Sequence, residues 1–220
     1  MGKVQKGILD GFVGKVGTVC GSFWKGKAVM RSMPRKKAPG SYNFSEAQQL
    51  VQTRWAAINS LAGNFLNAIR IGFKMVAKRK QMTEGDIFVI ENWGFVHADT
   101  PGNATVDYTE LSIAKGNLPE VQFGSVKYDT PLTVEAPITA GEVPVGADSN
   151  DLVYIFVYSP EAGAGLLSEA VTRGDESVLV AVPPYWNGHR VHVWGFAVGG
   201  GNDDAGIRSN SRYLGAGTIS

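Results

Sequence analysis

Apolar and polar positions alternate along this chain in three successive textures. Between residues 1 and 40 glycines interrupt every apolar run. Val16, Thr18, Cys20, Ser22 and Trp24 share one face of an extended segment, with Val19 and Phe23 on the other. Lys25-Gly26 separates this run from the run 27–33. A two-residue turn ending in Gly between such runs predicts a β-hairpin. Pro34 ends it, and Pro39-Gly40-Ser41 reads as a linker.

The second texture has helical period. Ser45 with Gln48 three residues on predicts a capped helix start, with Glu46 in the first turn. Ala47, Val51, Trp55, Ile58, Ala62, Phe65, Ile69, Phe73 and Val76 then follow in steps of three or four, one continuous stripe expected to face a core. Gly63-Asn64 is where a kink or a helical hairpin would fall. Lys74, Lys78, Arg79 and Lys80 crowd the last turns, where the helix dipole favours cations.

Residues 81–120 are a mixed connector, with short apolar pieces at 87–90 and 94–97 and a strand expected over 105–113. From residue 121 the period is two. Strands are expected at 121–128, 132–138, 151–158, 165–172, 177–182, 190–198 and 208–219, each pair separated by Gly, Pro, Asp or Asn. Trp194 and Phe196 lie on one face of the 190–198 strand, Val191, Val193 and Gly195 on the other. Seven short strands in 100 residues predict an immunoglobulin-like β-sandwich. The 191–198 strand, its glycine-rich loop and Ser209 to Tyr213 resemble the last two strands of a fibronectin type III domain. The expected fold is α+β in four parts. Residues 1–40 form a basic β-hairpin arm, 41–80 an amphipathic helix or helical hairpin, 81–120 a connector and 121–220 the sandwich.

Charge changes this picture more than composition does. The net charge of the 220 residues is +1, yet residues 1–80 carry 15 Lys and Arg against Asp10 and Glu46 alone. Residues 81–220 carry 6 against 18 acids, so the local balances are +13 and −12. A basic segment meets either a polyanion or an acidic surface, here available on the next copy of the same chain. Heterologous contact of that kind builds rings or helical filaments. The plainer reading is that both surfaces are simply solvated. The assembly residues expected on the basic arm are Phe12, Phe23, Trp24, Lys25, Arg31, Arg35, Lys36 and Lys37. The acidic partner surface is expected at Asp148, Asp151, Asp175, Glu176, Asp203 and Asp204.

The opening Met-Gly-Lys-Val-Gln-Lys-Gly-Ile-Leu-Asp-Gly-Phe-Val-Gly-Lys-Val-Gly-Thr-Val, with Gly21 and Trp24-Lys25-Gly26, resembles a family of uncharacterised proteins from Bacteroidota and their phages. Members open with a Gly-Ile-Leu-Gly-Gly-Phe-like block; Asp10 stands here where a glycine is usual. The resemblance implies a two-part architecture and a structural or assembly role in a virion or appendage, and brings no catalytic residues with it.

A search for chemistry returns little. Cys20 is the single cysteine, which excludes an intrachain disulfide and a Cys-based zinc site. His189 and His192, three apart on a strand, would point to opposite faces and read as strand-surface residues rather than joint ligands. Gly199 to Asp204 is glycine-rich but acidic and opens no helix, so it is no phosphate loop. Asn43 and Asn103 stand in glycosylation sequons. No catalytic residue, metal or cofactor is expected. No run of 18 apolar residues and no signal peptide is visible, so synthesis in a cytoplasm is expected, with a virion or extracellular filament as destination. The expected function is a non-enzymatic structural protein that self-assembles head to tail. The alternative is a nucleic-acid-binding protein using the basic half.

Overall fold

The computed structural model describes residues 2–4, 13–33, 44–128, 131–139, 143–200 and 207–219. The chain divides into two units, Met1–Ser45 and Glu46–Ser220.

The first unit is a four-stranded antiparallel sheet rather than a lone hairpin. Its strands are β1 (Gly2–Val4), β2 (Gly14–Val16), β3 (Val19–Trp24) and β4 (Lys27–Ser32), in the order β1-β4-β3-β2. Two tight turns fix the register. Gly17 (φ 59°) leads the turn between β2 and β3, so Val16 pairs with Val19 instead of continuing one strand into it. Lys25 (φ 48°) and Gly26 (φ 74°) both take positive φ, the type I′ geometry whose twist matches the flanking strands. Trp24 pairs with Lys27 across that turn, and Cys20 with Arg31.

The second unit begins with helices. α1 (Glu46–Asn64), α2 (Leu66–Gly72) and α3 (Lys74–Lys80) continue one another, with one break at Phe65, directly after Gly63-Asn64 where a kink or hairpin was expected, and a second at Phe73; the helices do not fold back as a hairpin there. The stripe is covered only from Ile58 onward. Val51 and Trp55 stay exposed, although the Trp55 ring lies 5.8 Å from that of Trp93; Arg54 lies over the Trp93 ring at 4.1 Å and donates to the Trp93 carbonyl. A fourth helix, α4 (Glu84–Asn92), lies where short apolar pieces were expected; Thr83 and Asp86 close a capping box at its start. β5 (Val96–Thr100) and β6 (Asn103–Val106) form a small hairpin, and 107–118 is irregular apart from one bridge rather than a strand.

The remaining strands are β7 (Thr133–Pro137), β8 (Leu152–Ser159), β9 (Ala164–Leu167), β10 (Val171–Thr172), β11 (Ser177–Ala181), β12 (Arg190–Val198) and β13 (Arg212–Thr218). β8 and β12 are the centre of a five-stranded sheet. β13 borders β12, and both β9 and β10 border the other edge of β8. Val153, Ile155, Val157, Val191 and Val193 face the two-stranded β7–β11 sheet. Phe156, Tyr158, Trp194, Phe196 and Val198 face the helices, where Phe65 meets Phe156 at 4.7 Å and Trp194 at 5.3 Å. The fold is therefore α+β, with the larger sheet covered on both faces. An immunoglobulin-like sandwich leaves the outer faces of sheets of four and three strands to solvent; here the helices take one of them.

Candidate functional site

Two surfaces carry the residues of interest, one in each unit. On the N-terminal sheet, register and alternation sort the side chains cleanly. Val16, Val19, Phe23, Ala28 and Met30 share one face, a set without a single charge. Lys15, Cys20, Ser22, Trp24, Lys27, Val29 and Arg31 share the other. Phe23 is 48% exposed and Trp24 51%, and Lys25 Nζ lies 5.1 Å from the Trp24 ring centre. Large aromatic side chains half in water on a small sheet are surface that a contact would cover. Arg31 is exposed. Phe12, Arg35, Lys36 and Lys37 lie outside the described residues, as do Asp203 and Asp204.

The expected acidic surface is only partly a surface. Asp148, Asp175 and Glu176 are exposed. Asp151 is 2% exposed. Its carboxylate accepts the Asp148 and Gly200 amides at 2.9 and 3.1 Å and lies 3.4 Å from Arg173 Nε, so it staples a turn internally and is unavailable to a partner. The histidines also differ from the strand-surface reading. His192 is buried, its ring centre 4.4 Å from that of Tyr108 and tilted 30° to it, with Nδ1 2.8 Å from the Tyr213 hydroxyl. His189 sits outside β12, 3.2 Å from Ser159 Oγ and 3.7 Å from Glu161. Ser159 is fully buried and its Oγ accepts the Ala162 amide, so this trio holds a turn and presents no nucleophile to solvent.

The second surface is built by close backbone approach. Segment 113–118 runs between the end of α2 and the residues leading into β13. Leu118 N donates to Arg208 O at 2.9 Å, Ser211 N to Ala114 O at 3.1 Å, and Lys115 N to Gly72 O at 3.4 Å. Glycine makes both contacts possible. A Cβ on Gly72 would overlap the Ile113 carbonyl, and one on Gly116 would overlap the Arg208 carbonyl. This threading sets Lys115 and Arg208 beside the basic turns of α2 and α3.

Two cavities open there. The first, about 630 Å³, is lined by Arg79, Lys80, Lys115, Arg208 and Glu91, among others. The second, about 460 Å³, is lined by Arg70, Lys74, Arg208, Glu84 and Tyr154, among others. Arg208 belongs to both. It is 2% exposed, and its Nε donates to the Ile71 carbonyl at 3.1 Å. Glu91 is held by Lys115 at 2.6 Å and by Lys80 at 4.0 Å. Arg70 and Arg79 make no ion pair among the described residues and point to solvent. The lysines crowding the end of α3 thus share a surface with two cations from distant sequence. Sequence reading did not anticipate Arg70, Lys115 or Arg208 there; the only available signal was the density of Lys and Arg over 70–80.

Among the described residues no three His, Cys, Asp or Glu side chains converge to hold a metal, and no helix is long and apolar enough to cross a membrane. No curated protein and no solved structure matches the chain. The model of a family of unknown function, DUF6266, matches residues 11–215, and the chain belongs to that family.

Proposed function

We propose that the protein is a non-enzymatic structural subunit that associates with further copies of itself head to tail, through its N-terminal sheet. The observation that carries this reading is the uncharged face bearing Val16, Val19, Phe23 and Met30, with Phe23 and Val16 exposed. Burial of apolar area drives most protein association, at about 25 cal/mol per Å² before ordering costs. The opposite face supplies Lys15, Lys27 and Arg31, and the +13/−12 division of the chain gives an acidic counterpart on the next copy. Asp148, Asp175 and Glu176 are the described acids of that set left open to it. Contacts between different surfaces of identical subunits propagate, so the product is a filament, tube or ring, of the kind found in a virion or cell-surface appendage.

The experiment is sedimentation velocity with negative-stain imaging of the full chain, beside Phe23→Ser and Val16→Ser. Assembled material in the parent chain, reduced at least tenfold in the variants at equal concentration, is the expected result. A parent chain that stays monomeric at every concentration and salt, or variants that assemble equally well, would overturn the reading.

A further inference from the structure

We propose that a groove in the second unit, beside the turn 173–176, takes the tip of the β3–β4 hairpin of another copy of this chain. The inference rests on the head-to-tail reading and names its acceptor. The groove encloses about 520 Å³. Val121 and Ile138 form its apolar floor, with Val143 and Pro144 exposed at its side. Glu120, Asp175 and Glu176 line the same groove, and all three are exposed. Asp175 holds the turn through one oxygen, which accepts the Thr172 amide and hydroxyl at 2.6 and 3.0 Å. None of the three makes an ion pair among the described residues.

The cations nearby are already engaged. Arg173 lines the groove, but its Nε lies 3.4 Å from Asp151 and its other nitrogens donate to the Pro119 and Glu120 carbonyls at 2.7 and 3.3 Å. Arg212 donates to Gln122 Oε1 at 2.9 Å. Residues 140–142, outside the described residues, add Glu142 and no cation. The groove therefore has a negative excess above an apolar floor, and a cleft lined by one sign of charge concentrates its field on the opposite sign. A polyanion is repelled from it.

That combination selects the occupant. It suits a group with an apolar body and a cationic end. Trp24 and Lys25 are such a group: Lys25 Nζ lies 5.1 Å from the Trp24 ring centre, and both residues are exposed. They stand at the type I′ turn, the narrow end of the sheet, and a two-residue loop can enter a cavity that a flat sheet face cannot. Tryptophan in a desolvated pocket is among the commonest anchors of protein interfaces. Trp24 remains 51% exposed within its own chain, so the contact is left for a second copy. Each tip that enters a groove leaves another tip and another groove free, which is the condition for continued growth.

The test uses full chains carrying Cys20→Ser, one with Lys25→Cys and one with Glu176→Cys. Both positions are exposed, so unchanged melting is expected and is verified first. Mixed and treated with a short bismaleimide, the two should link to each other far more than either links to itself. Sedimentation at low salt gives a second readout. Lys25→Glu and Glu176→Lys should each reduce assembled material by about fivefold or more, and both reversals in one chain should restore it, because like charges brought together oppose the contact and opposite ones support it. Assembly of the parent without the mixed link, and reversals that assemble as the parent does, would overturn the groove and leave the head-to-tail reading standing. A link that forms only inside a single chain carrying both cysteines would assign the groove to the chain's own hairpin and overturn the proposal. A parent chain that never assembles would overturn both readings.

Discussion

The buried Asn92 side chain pairs with both backbone groups of Ser112: its Oδ1 accepts the Ser112 amide at 2.7 Å and its Nδ2 donates to the Ser112 carbonyl at 2.8 Å. A second Nδ2 bond reaches the Phe88 carbonyl at 2.9 Å. One amide side chain thus ties the end of α4 to the irregular segment that leads into the basic cleft. Asn92→Leu would leave those groups buried without partners, each at about 1–3 kcal/mol. The expected loss is about 3 kcal/mol, read as a lowered urea midpoint at unchanged m. A loss below about 1 kcal/mol would mean water replaces the side chain.

Asp151 and Arg173 predict a larger effect. Both are almost fully buried, and Arg173 also donates to the Pro119 and Glu120 carbonyls. Removing one member of a buried pair leaves the other's charge uncompensated, at about 3–5 kcal/mol. Asp151→Ala should therefore cost several kcal/mol. A surface acid such as Glu176, changed to Ala, should move stability by less than about 0.5 kcal/mol. Equal effects would place Asp151 on the surface after all.

Stability should fall at both ends of the pH range. Burial first, then the Arg190 charge, holds the His192 pKa below its ordinary 6.5. Just below pH 6.5 the unfolded chain binds a proton that the native chain refuses, so stability decreases on acidification until the native pKa is passed. Burial, with Tyr158 alongside, pushes the Tyr108 pKa up to about 12 from 10. Above pH 10 the unfolded chain releases a proton that the native chain retains, and stability falls again. Urea midpoints at pH 5.5, 7.5 and 10.5 test both limbs. His192→Gln should flatten the acid limb and leave the alkaline one; an unchanged acid limb would assign it to other groups.

Gly116→Ala tests how the cleft is built. The new methyl group collides with backbone, which cannot rotate away, and overpacking of this kind costs about 1–3 kcal/mol. Gly94→Ala, where a Cβ meets open space, is the control and should leave stability unchanged.

Assembly, if it runs through the uncharged face of the N-terminal sheet, should tolerate salt. At about 1 M the Debye length is about 3 Å, so exposed charge pairs are screened while apolar contact is not. Polymer that persists there supports the face bearing Phe23; polymer that dissolves places the contact on Lys15, Lys27 and Arg31 instead.

Period-two reading located most of the C-terminal strands, and the sorting of Trp194 and Phe196 from Val191 and Val193 agrees with their two separate cores. It could not say that both faces of that strand are covered, since alternation of large aromatic and branched residues looks the same whether the aromatics meet helices or another sheet. α4 was missed because its apolar run, Ile87 to Ile90, is too short to show a helical period; the cap at Thr83 and Asp86 was its one local signal. Asp151 read as part of an acidic partner surface because its partner Arg173 lies 22 positions away. Arg208 was invisible for the same reason: its surroundings come from residues 71, 116 and 118, brought together only by the packing.

The double covering of the central sheet has a consequence for solvent exchange. β12 lies between β8 and β13, and eight of its residues in succession, 191–198, are buried. Its peptide hydrogens reach deuterated water only when the helices on one side and the β7–β11 pair on the other have both let go. Opening of that extent is the whole of Glu46–Ser220 coming apart, so the slowest amides of β12 record the global free energy of that unit.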